Sequence, residues 1–243
     1  LPTSVERMDA YTTYLKSCFA EMRYRLVGIH TTDDPVKAIE NAEGIYVGGG
    51  NTYDLLSALL QRHLIGPLQK RIAEGMPYLG VSAGTVIAGM NICNSNDNSL
   101  PSLSLDALEA VPFNIKPHYK EKVTLEDEEC RRLLAQRAPE VLANIDHQGE
   151  SHLDRVMEFH HHFPYHVVGL REGAMLRVEG DEVTLRGTTG ARVFRRSDFV
   201  NGYEPAEEFQ PGYSLDFLCS DRFVKVPSAA VANALRINWL DSL

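Results

Sequence analysis

The stretch that decides the fold runs from Pro77 to Met90 and reads PYLGVSAGTVIAGM. Its first five residues form a short apolar run typical of a buried strand, and Ala83 to Met90, rich in small apolar residues, predicts a helix. Between the two lies a G-x-S-x-G pentapeptide centred on Ser82, whose small residues permit the sharp strand-to-helix turn that presents a nucleophilic serine. The stretch therefore predicts a strand, a nucleophile turn and a helix, with Ser82 as candidate nucleophile.

The alternation of strands and helices continues on the N-terminal side of this stretch. Gly44 to Val47 and Tyr24 to Ile29 are apolar runs that predict strands, and Tyr53 to Ala73 predicts a helix broken near Gly66-Pro67. Alternation of this kind is typical of a parallel sheet covered on both faces, with right-handed crossovers. The predicted fold class is α/β, a doubly wound, mostly parallel sheet with helices on both faces.

The C-terminal half ends differently. Strands are predicted at Val167 to Leu170, Ala174 to Val178 and Glu182 to Leu185, and Gly180-Asp181 predicts a hairpin between the last two. The sheet is therefore expected to finish with antiparallel strands. A charged helix from Glu126 to Arg137 and the helix end at His160 to His162 are both interpreted as solvated, the latter in preference to a metal site.

Length and composition limit the classes of protein. The 243 residues, 44% of them hydrophobic, favour one large domain, and the net charge of −9 argues against a nucleic-acid surface. No apolar run is long enough to span a membrane, and no secretion signal opens the sequence. Its four cysteines form no C-x-x-C pair. We expect a cytoplasmic protein that acts on small peptides and needs no nucleic-acid or membrane partner.

Serine chemistry requires a base and a group that receives negative charge from the attacked carbonyl. Gly48-Gly49-Gly50 follows the strand before Ser82, so its turn should lie at the same sheet edge. The amide of Gly49 or Gly50, with that of Ala83, could form an oxyanion hole. A phosphate cradle is the alternative reading, but the G-K-[ST] ending and the G-x-G-x-x-G spacing are both missing.

The candidate base and orienting acid follow later strands. His118 comes directly after Pro117, at the end of an apolar run that predicts a strand. Glu172 follows the strand predicted at Val167 to Leu170. A carboxylate at Glu172 could hold the imidazole of His118 in the required tautomer. On its own, a histidine at position 118 is more often structural than catalytic, and Glu172 could equally be an exposed turn residue.

Taken together, the motifs resemble the peptidase E family, the α-aspartyl dipeptidases, which are related to the cyanophycinases. The resemblance runs from Asp9 to Leu218 in five ordered motifs, namely Val47 to Thr52, Gly80 to Gly84, Pro117-His118-Tyr119, His147-Gln148-Gly149-Glu150 and Gly169 to Gly173. It implies a flavodoxin-like fold of the class I glutamine amidotransferase kind. It also implies a Ser82-His118-Glu172 triad acting through an acyl-enzyme on dipeptides with an N-terminal aspartate, without a metal or other cofactor.

The predicted substrate-binding residues include a departure from the family pattern. They are Asn51, Thr52, Asn96, Asp97, Glu150, His152 and Arg155. The family's G-E-T-R-x-x-R stretch could bind a substrate carboxylate through arginine, but here His152 replaces the first arginine and Arg155 remains. The sequence therefore predicts weaker selection for aspartate than the family pattern implies.

Other departures concern the frame of the domain. Lys116 stands where the family has a small polar or apolar residue, and a charged insertion covers residues 121–145. The resemblance places the first strand or strands of the sheet before Leu1. We expect a single peptidase domain at 1–218, a tail of unknown role at 219–243, and a possible homodimer.

Two alternative functions remain. A cyanophycinase-like hydrolase would cleave β-aspartyl peptides, although Asn51-Thr52 differs from the sequence expected after the glycines in that group. A non-catalytic binding protein on the same fold is suggested by His152, Lys116 and the insertion. An amidotransferase glutaminase would require cysteine at position 82, which is serine.

Overall fold

The computed structural model describes residues 5–97, 104–121, 128–139, 151–201 and 207–221, together with Phe223 and Lys225. Its helices are α1 (Val5–Glu21), α2 (Pro35–Glu40), α3 (Thr52–Gln61), α4 (Ile65–Ala73), α5 (Ala83–Val86), α6 (Glu128–Arg137), α7 (His152–His162) and α8 (Phe217–Ser220). The strands are β1 (Ile45–Val47), β2 (Tyr78–Gly80), β3 (Asn114–Lys116), β4 (Val167–Leu170), β5 (Ala174–Glu179), β6 (Glu182–Gly187), β7 (Ala191–Phe194) and β8 (Glu207–Phe209). None of these helices is both long and apolar enough to cross a membrane.

Two pairs of the described strands are parallel, and three of these four strands precede a candidate catalytic residue. β1 pairs in parallel with β2, with Val47 opposite Gly80, and β3 pairs in parallel with β4, with Lys116 opposite Gly169. Antiparallel pairing then extends from β4 through β7 to β8, while β5 and β6 form a separate hairpin. The predicted α/β class and the antiparallel strands toward the C-terminus are confirmed.

Three groups of buried apolar side chains hold these elements together. The first lies among α3, α4 and α5 and contains Leu55, Leu56 and Ile87. The second packs between the strands of the C-terminal half, and the third is a largely aromatic group that includes Val156 and Phe159 of α7. Residues that follow β2 and β3, including Ser82 and His118, line a common cavity.

A buried asparagine network joins the two parallel pairs. The side-chain amide of Asn114, on β3, donates to the carbonyl oxygen of Asn91 at 2.7 Å, and that of Asn94 donates to the carbonyl oxygen of Ile115 at 3.0 Å. Gly89 lies against the carbonyl of Phe113, where a Cβ atom would approach to 2.9 Å. The segment after α5 is thereby fixed to β3.

The predicted strand at Tyr24 to Ile29 is wrong. The segment forms no ladder, and a short 3-10 helix, Ile29–Thr31, takes its last residue. Tyr24 is 67% exposed and Val27 is 56% exposed, so the apolar run is not buried against a sheet. A strand requires a hydrogen-bonding neighbour, and none of the described strands pairs with this segment.

The predicted helix break near Gly66-Pro67 is also misplaced. The break lies between Gln61 and Ile65, where His63 adopts a φ of 55°. Pro67 is the third residue of α4, within the first turn, where a helix does not need the missing N–H group.

The interpretation of the histidines at the end of α7 as solvated is wrong for His160. This side chain is fully buried, and its Nε2–H group donates to the carbonyl oxygen of Tyr165 at 2.9 Å. Burial lowers the pKa of His160 to about 4. The imidazole is therefore a neutral part of the aromatic core at neutral pH. His161 is exposed, as expected.

Candidate active site

Ser82 occupies a strained turn between β2 and α5. Its backbone has φ 55° and ψ −114°, a combination that residues with a Cβ atom rarely adopt. The turn follows Val81, whose N–H group donates to the carbonyl of Val47 at 2.9 Å. The predicted strand-to-helix elbow is thus present, and the chain changes direction sharply at Ser82.

The two flanking glycines are required by close backbone contacts. A Cβ atom on Gly84 would lie 2.1 Å from the carbonyl oxygen of Val47, and one on Gly80 would lie 2.5 Å from the carbonyl oxygen of Gly84. The hydroxyl of Tyr78 donates to that oxygen of Gly84 at 2.6 Å. The pentapeptide therefore has a steric explanation: only glycine lets the elbow lie this close to β1.

His118 follows β3 and faces Ser82. Its Nε2 atom lies 2.8 Å from the Ser82 Oγ atom, and its Nδ1 atom is hydrogen-bonded to Oε1 of Glu172, which follows β4. A proton on Nδ1 donates to the carboxylate and leaves Nε2 free to accept from the serine hydroxyl. The structure brings all three predicted catalytic residues into one hydrogen-bonded chain.

Local contacts favour the ionised form of the Glu172 side chain and hold its backbone in position. The hydrogen bond from His118, followed by the charge of the imidazolium form, lowers the pKa of Glu172. The hydroxyl of Thr189 donates to the backbone carbonyl of Glu172 at 2.5 Å. Both side chains of the pair are open to solvent, with exposures of 50% for His118 and 69% for Glu172.

The predicted oxyanion residues surround Ser82. Gly49 packs on the serine so closely that a Cβ atom there would lie 3.0 Å from the Ser82 Cβ atom. Gly50 and Ala83 both line the adjoining cavity. Ala83 is the first residue of α5, so its N–H group has no partner inside the helix. The arrangement can accept a developing oxyanion beside Ser82, and the assignment stays a prediction.

A cavity of about 130 Å³ lies next to Ser82. Four predicted substrate-binding residues line it, namely Thr52, Asn96, Asp97 and His152. The Asp97 carboxylate accepts the backbone N–H of Thr52 at 2.7 Å, which ties the loop after Cys93 to the start of α3.

His152 brings no positive charge to the cavity at neutral pH. Burial lowers its pKa to about 4, and the neighbouring charges of Lys116, Lys120 and His118 act in the same direction. Its Nδ1 atom accepts the backbone N–H of Lys120 at 3.2 Å. The residue that replaces the first arginine of the family stretch is therefore a neutral imidazole.

Among the described residues, two predicted substrate-binding residues, Asn51 and Arg155, do not line the cavity. The side-chain oxygen of Asn51 accepts the N–H groups of Tyr53 and Asp54 and thus caps α3. Arg155 forms an ion pair with Glu158 at 2.9 Å. Glu150, with the rest of the His147 motif, lies outside the described residues.

Lys116 and Ser95 line the cavity but were not predicted as site residues. Lys116 is only 4% exposed. It is the last residue of β3, and the other two residues of that strand are buried as well. The signal was a single charge at the end of an apolar run, directly before Pro117-His118. Among the described residues, no group of three His, Cys, Asp or Glu side chains could hold a metal ion.

The chain is similar in sequence to several known proteins. A model of peptidase family S51 matches residues 1–186. Peptidase E of Streptomyces coelicolor is 35% identical over 197 residues, which are 81% of this chain and 73% of the relative. A protein of Drosophila melanogaster, described as a probable alpha-aspartyl dipeptidase, is 33% identical over 220 residues, 90% of this chain and 81% of that protein. A solved structure of a candidate peptidase E from Listeria monocytogenes matches with 23% identity and a TM-score of 0.41, over 63% of each chain.

Proposed function

The chain belongs to peptidase family S51, and we propose from this premise that it is a serine dipeptidase that cleaves dipeptides with an N-terminal aspartate. Ser82 is the nucleophile, His118 the general base and Glu172 the acid that orients it. The observation that carries the proposal is the hydrogen-bonded chain from Ser82 through His118 to Glu172, with 2.8 Å between Oγ and Nε2.

In the first half of the reaction, the Oγ atom of Ser82 attacks the carbonyl carbon of the scissile peptide while Nε2 of His118 takes its proton. The N–H groups of Ala83 and of Gly49 or Gly50 stabilise the negative charge on the carbonyl oxygen. The carbon–nitrogen bond then breaks, and His118 passes the proton to the departing amino group. The product on the enzyme is an ester of Ser82.

In the second half, water replaces the leaving amine. His118 takes a proton from the water as its oxygen attacks the ester carbon, and the bond to the Ser82 oxygen breaks. The proton then returns from His118 to Ser82. The ionised carboxylate of Glu172 stabilises the imidazolium that forms in each half.

The size of the cavity supports a small substrate. At about 130 Å³ it is far below the roughly 300 to 1,000 Å³ of pockets for drug-sized ligands. A single small residue fits such a space better than a long peptide segment. The proposed preference for aspartate is supported by the Drosophila relative, which is described as a probable alpha-aspartyl dipeptidase.

Replacement of Ser82 by alanine tests the proposal. We expect Asp-Leu hydrolysis to fall by about 10³-fold or more, because the nucleophile is lost, with the melting temperature nearly unchanged. Ser197→Ala is the matched control, since Ser197 is exposed and does not line the cavity. Retained turnover in the Ser82 variant would disprove the assignment.

Two further measurements separate the alternatives. A β-Asp-Arg substrate cleaved in preference to Asp-Leu would reassign the chain to β-aspartyl hydrolysis. A fluorophosphonate reagent should modify Ser82 in the wild-type chain, which mass spectrometry of the tryptic peptide would show. A folded protein that is not labelled and cleaves neither substrate would instead be a binding protein.

A further inference from the structure

Lys116 is a buried lysine whose ammonium group is turned toward other polar groups at the cavity wall. It is 4% exposed and pairs with Gly169 across the β3–β4 ladder. Its Nζ atom donates to the carbonyl oxygen of Asn94 at 2.7 Å and to Oδ1 of Asn96. Removal of an ammonium from water is costly, so a lysine in this place requires such acceptors.

The same side chain lies next to the reaction centre. Lys116 is two residues before His118 and lines the cavity that adjoins Ser82. The oxygens of Asn94 and Asn96 that accept these bonds hold the ammonium at the cavity wall. A substrate residue in the cavity would therefore lie beside this ammonium.

Other cationic side chains near the site are less suited to this role. His152 lines the cavity, but burial lowers its pKa to about 4. Arg155 is paired with Glu158 and does not line the cavity. Among the described lining residues, Lys116 is the single lysine or arginine.

The cavity also contains a negative group. Asp97 lines it, with one carboxylate oxygen bound to the N–H of Thr52. The described part of the wall thus contains Lys116 and Asp97, side chains of opposite charge. The N-terminal residue of an Asp-X dipeptide carries an ammonium and a side-chain carboxylate, so a wall with both charges complements it.

From these contacts we propose that Lys116 binds the side-chain carboxylate of the N-terminal substrate residue and makes the enzyme prefer aspartate over asparagine. The inference rests on the proposed dipeptidase function. Lys116 supplies the cation that the family stretch lacks at His152, from a different element of the fold. A lysine provides one compact charge, whereas arginine offers a two-pronged contact, so selection is by charge more than by shape.

The test compares kcat/KM for Asp-Leu and Asn-Leu, which differ in charge but hardly in size. We expect the wild-type chain to prefer Asp-Leu, and Lys116→Gln to reduce the ratio of the two values by at least about tenfold, mainly through Asp-Leu. Lys116→Arg should retain part of the preference. Lys120→Gln is the matched control, because Lys120 is exposed and does not line the cavity, and its ratio should be unchanged.

Three outcomes would overturn the inference. One is an unchanged ratio in a folded Lys116→Gln protein, and another is an equal fall for both substrates, which would indicate a structural role. The third needs no variant and is a wild-type chain that hydrolyses both dipeptides equally. Fluorophosphonate labelling of Ser82 distinguishes failure of this inference from failure of the proposed function. A labelled, active enzyme that does not prefer Asp-Leu over Asn-Leu refutes only the role of Lys116. A chain that is neither labelled nor active refutes the proposed function and this inference together.

Discussion

At the scale of single residues, the backbone of Ser82 combines reactivity with strain. A non-glycine residue at φ 55° and ψ −114° costs about 1 to 3 kcal/mol, which the surrounding contacts must offset. Those contacts include the hydrogen bond from Tyr78 to Gly84 and the one from Thr85 to the carbonyl of Gly80. The chain therefore gives up stability at the position that the proposed chemistry requires.

Ser82→Gly should separate stability from activity. Glycine adopts this backbone conformation without strain, so we expect the variant to be inactive yet about 1 kcal/mol more stable than Ser82→Ala. Urea unfolding of the two variants gives the comparison directly, because both lack the serine hydroxyl. A glycine variant that is the less stable of the two would show that the turn is not strained.

At the scale of elements, α7 links the active site to the aromatic core. Its first residue, His152, lines the cavity, and its buried His160 bonds to the chain beyond the helix. A capping box at Ser151 fixes the beginning of the helix, with the Ser151 hydroxyl accepting from Asp154 and the Asp154 carboxylate accepting from Ser151. The position of His152 is therefore set by helix capping at one end and core packing at the other.

His160 makes the stability of the chain depend on pH. Its pKa is lowered to about 4, below its usual 6.5, so between these values the unfolded chain binds a proton that the folded chain does not. This contribution to stability is complete above about pH 6.5 and is lost as the pH falls toward 4. We expect the stability difference between wild type and His160→Gln to narrow by about 2 to 3 kcal/mol from pH 7 to pH 4.5.

Urea unfolding of both proteins at the two pH values measures this difference. His161→Gln is the control, because His161 lies in the same turn but is exposed. A difference that stays constant for His160→Gln would mean that its imidazole is not kept neutral by burial.

Elements whose structure depends on residues close in sequence could be predicted. Elements that depend on contacts with remote parts of the chain could not. The strand, elbow and helix around Ser82 follow from apolar residues and two glycines that are close in sequence. The strand predicted at Tyr24 to Ile29 failed because a strand also needs a neighbour, which no local pattern supplies. The helix break predicted near Pro67 was misplaced because proline is tolerated within the first turn of a helix.

At the scale of the whole molecule, the candidate site joins two separately packed parts. Ser82 belongs to the part built around β1, β2 and α5, whereas His118 and Glu172 follow β3 and β4. The sequence indicated all three, since each follows a strand. It did not indicate the direction of Lys116, which depends on the β3–β4 register and on the loop that carries Asn94 and Asn96.

Asn114→Ala should loosen the connection between these parts. Asn114 is fully buried, and its amide satisfies the Asn91 carbonyl, so we expect a loss of about 1 to 3 kcal/mol in stability and a lower kcat/KM for Asp-Leu. The control Gln61→Ala removes an exposed amide side chain and should change stability by less than about 0.5 kcal/mol. Equal effects of the two changes would assign the network no special role.

The contact between Gly84 and β1 also has a consequence for how the gene can vary. Every single-base change in a glycine codon gives a stop codon, another glycine codon or a residue that carries a Cβ atom. At Gly84 that atom would lie 2.1 Å from the carbonyl oxygen of Val47, which is main chain and so cannot be relieved by replacing the Val47 side chain. We therefore expect any amino-acid substitution at Gly84 to displace the elbow from β1, whatever the mutated codon encodes.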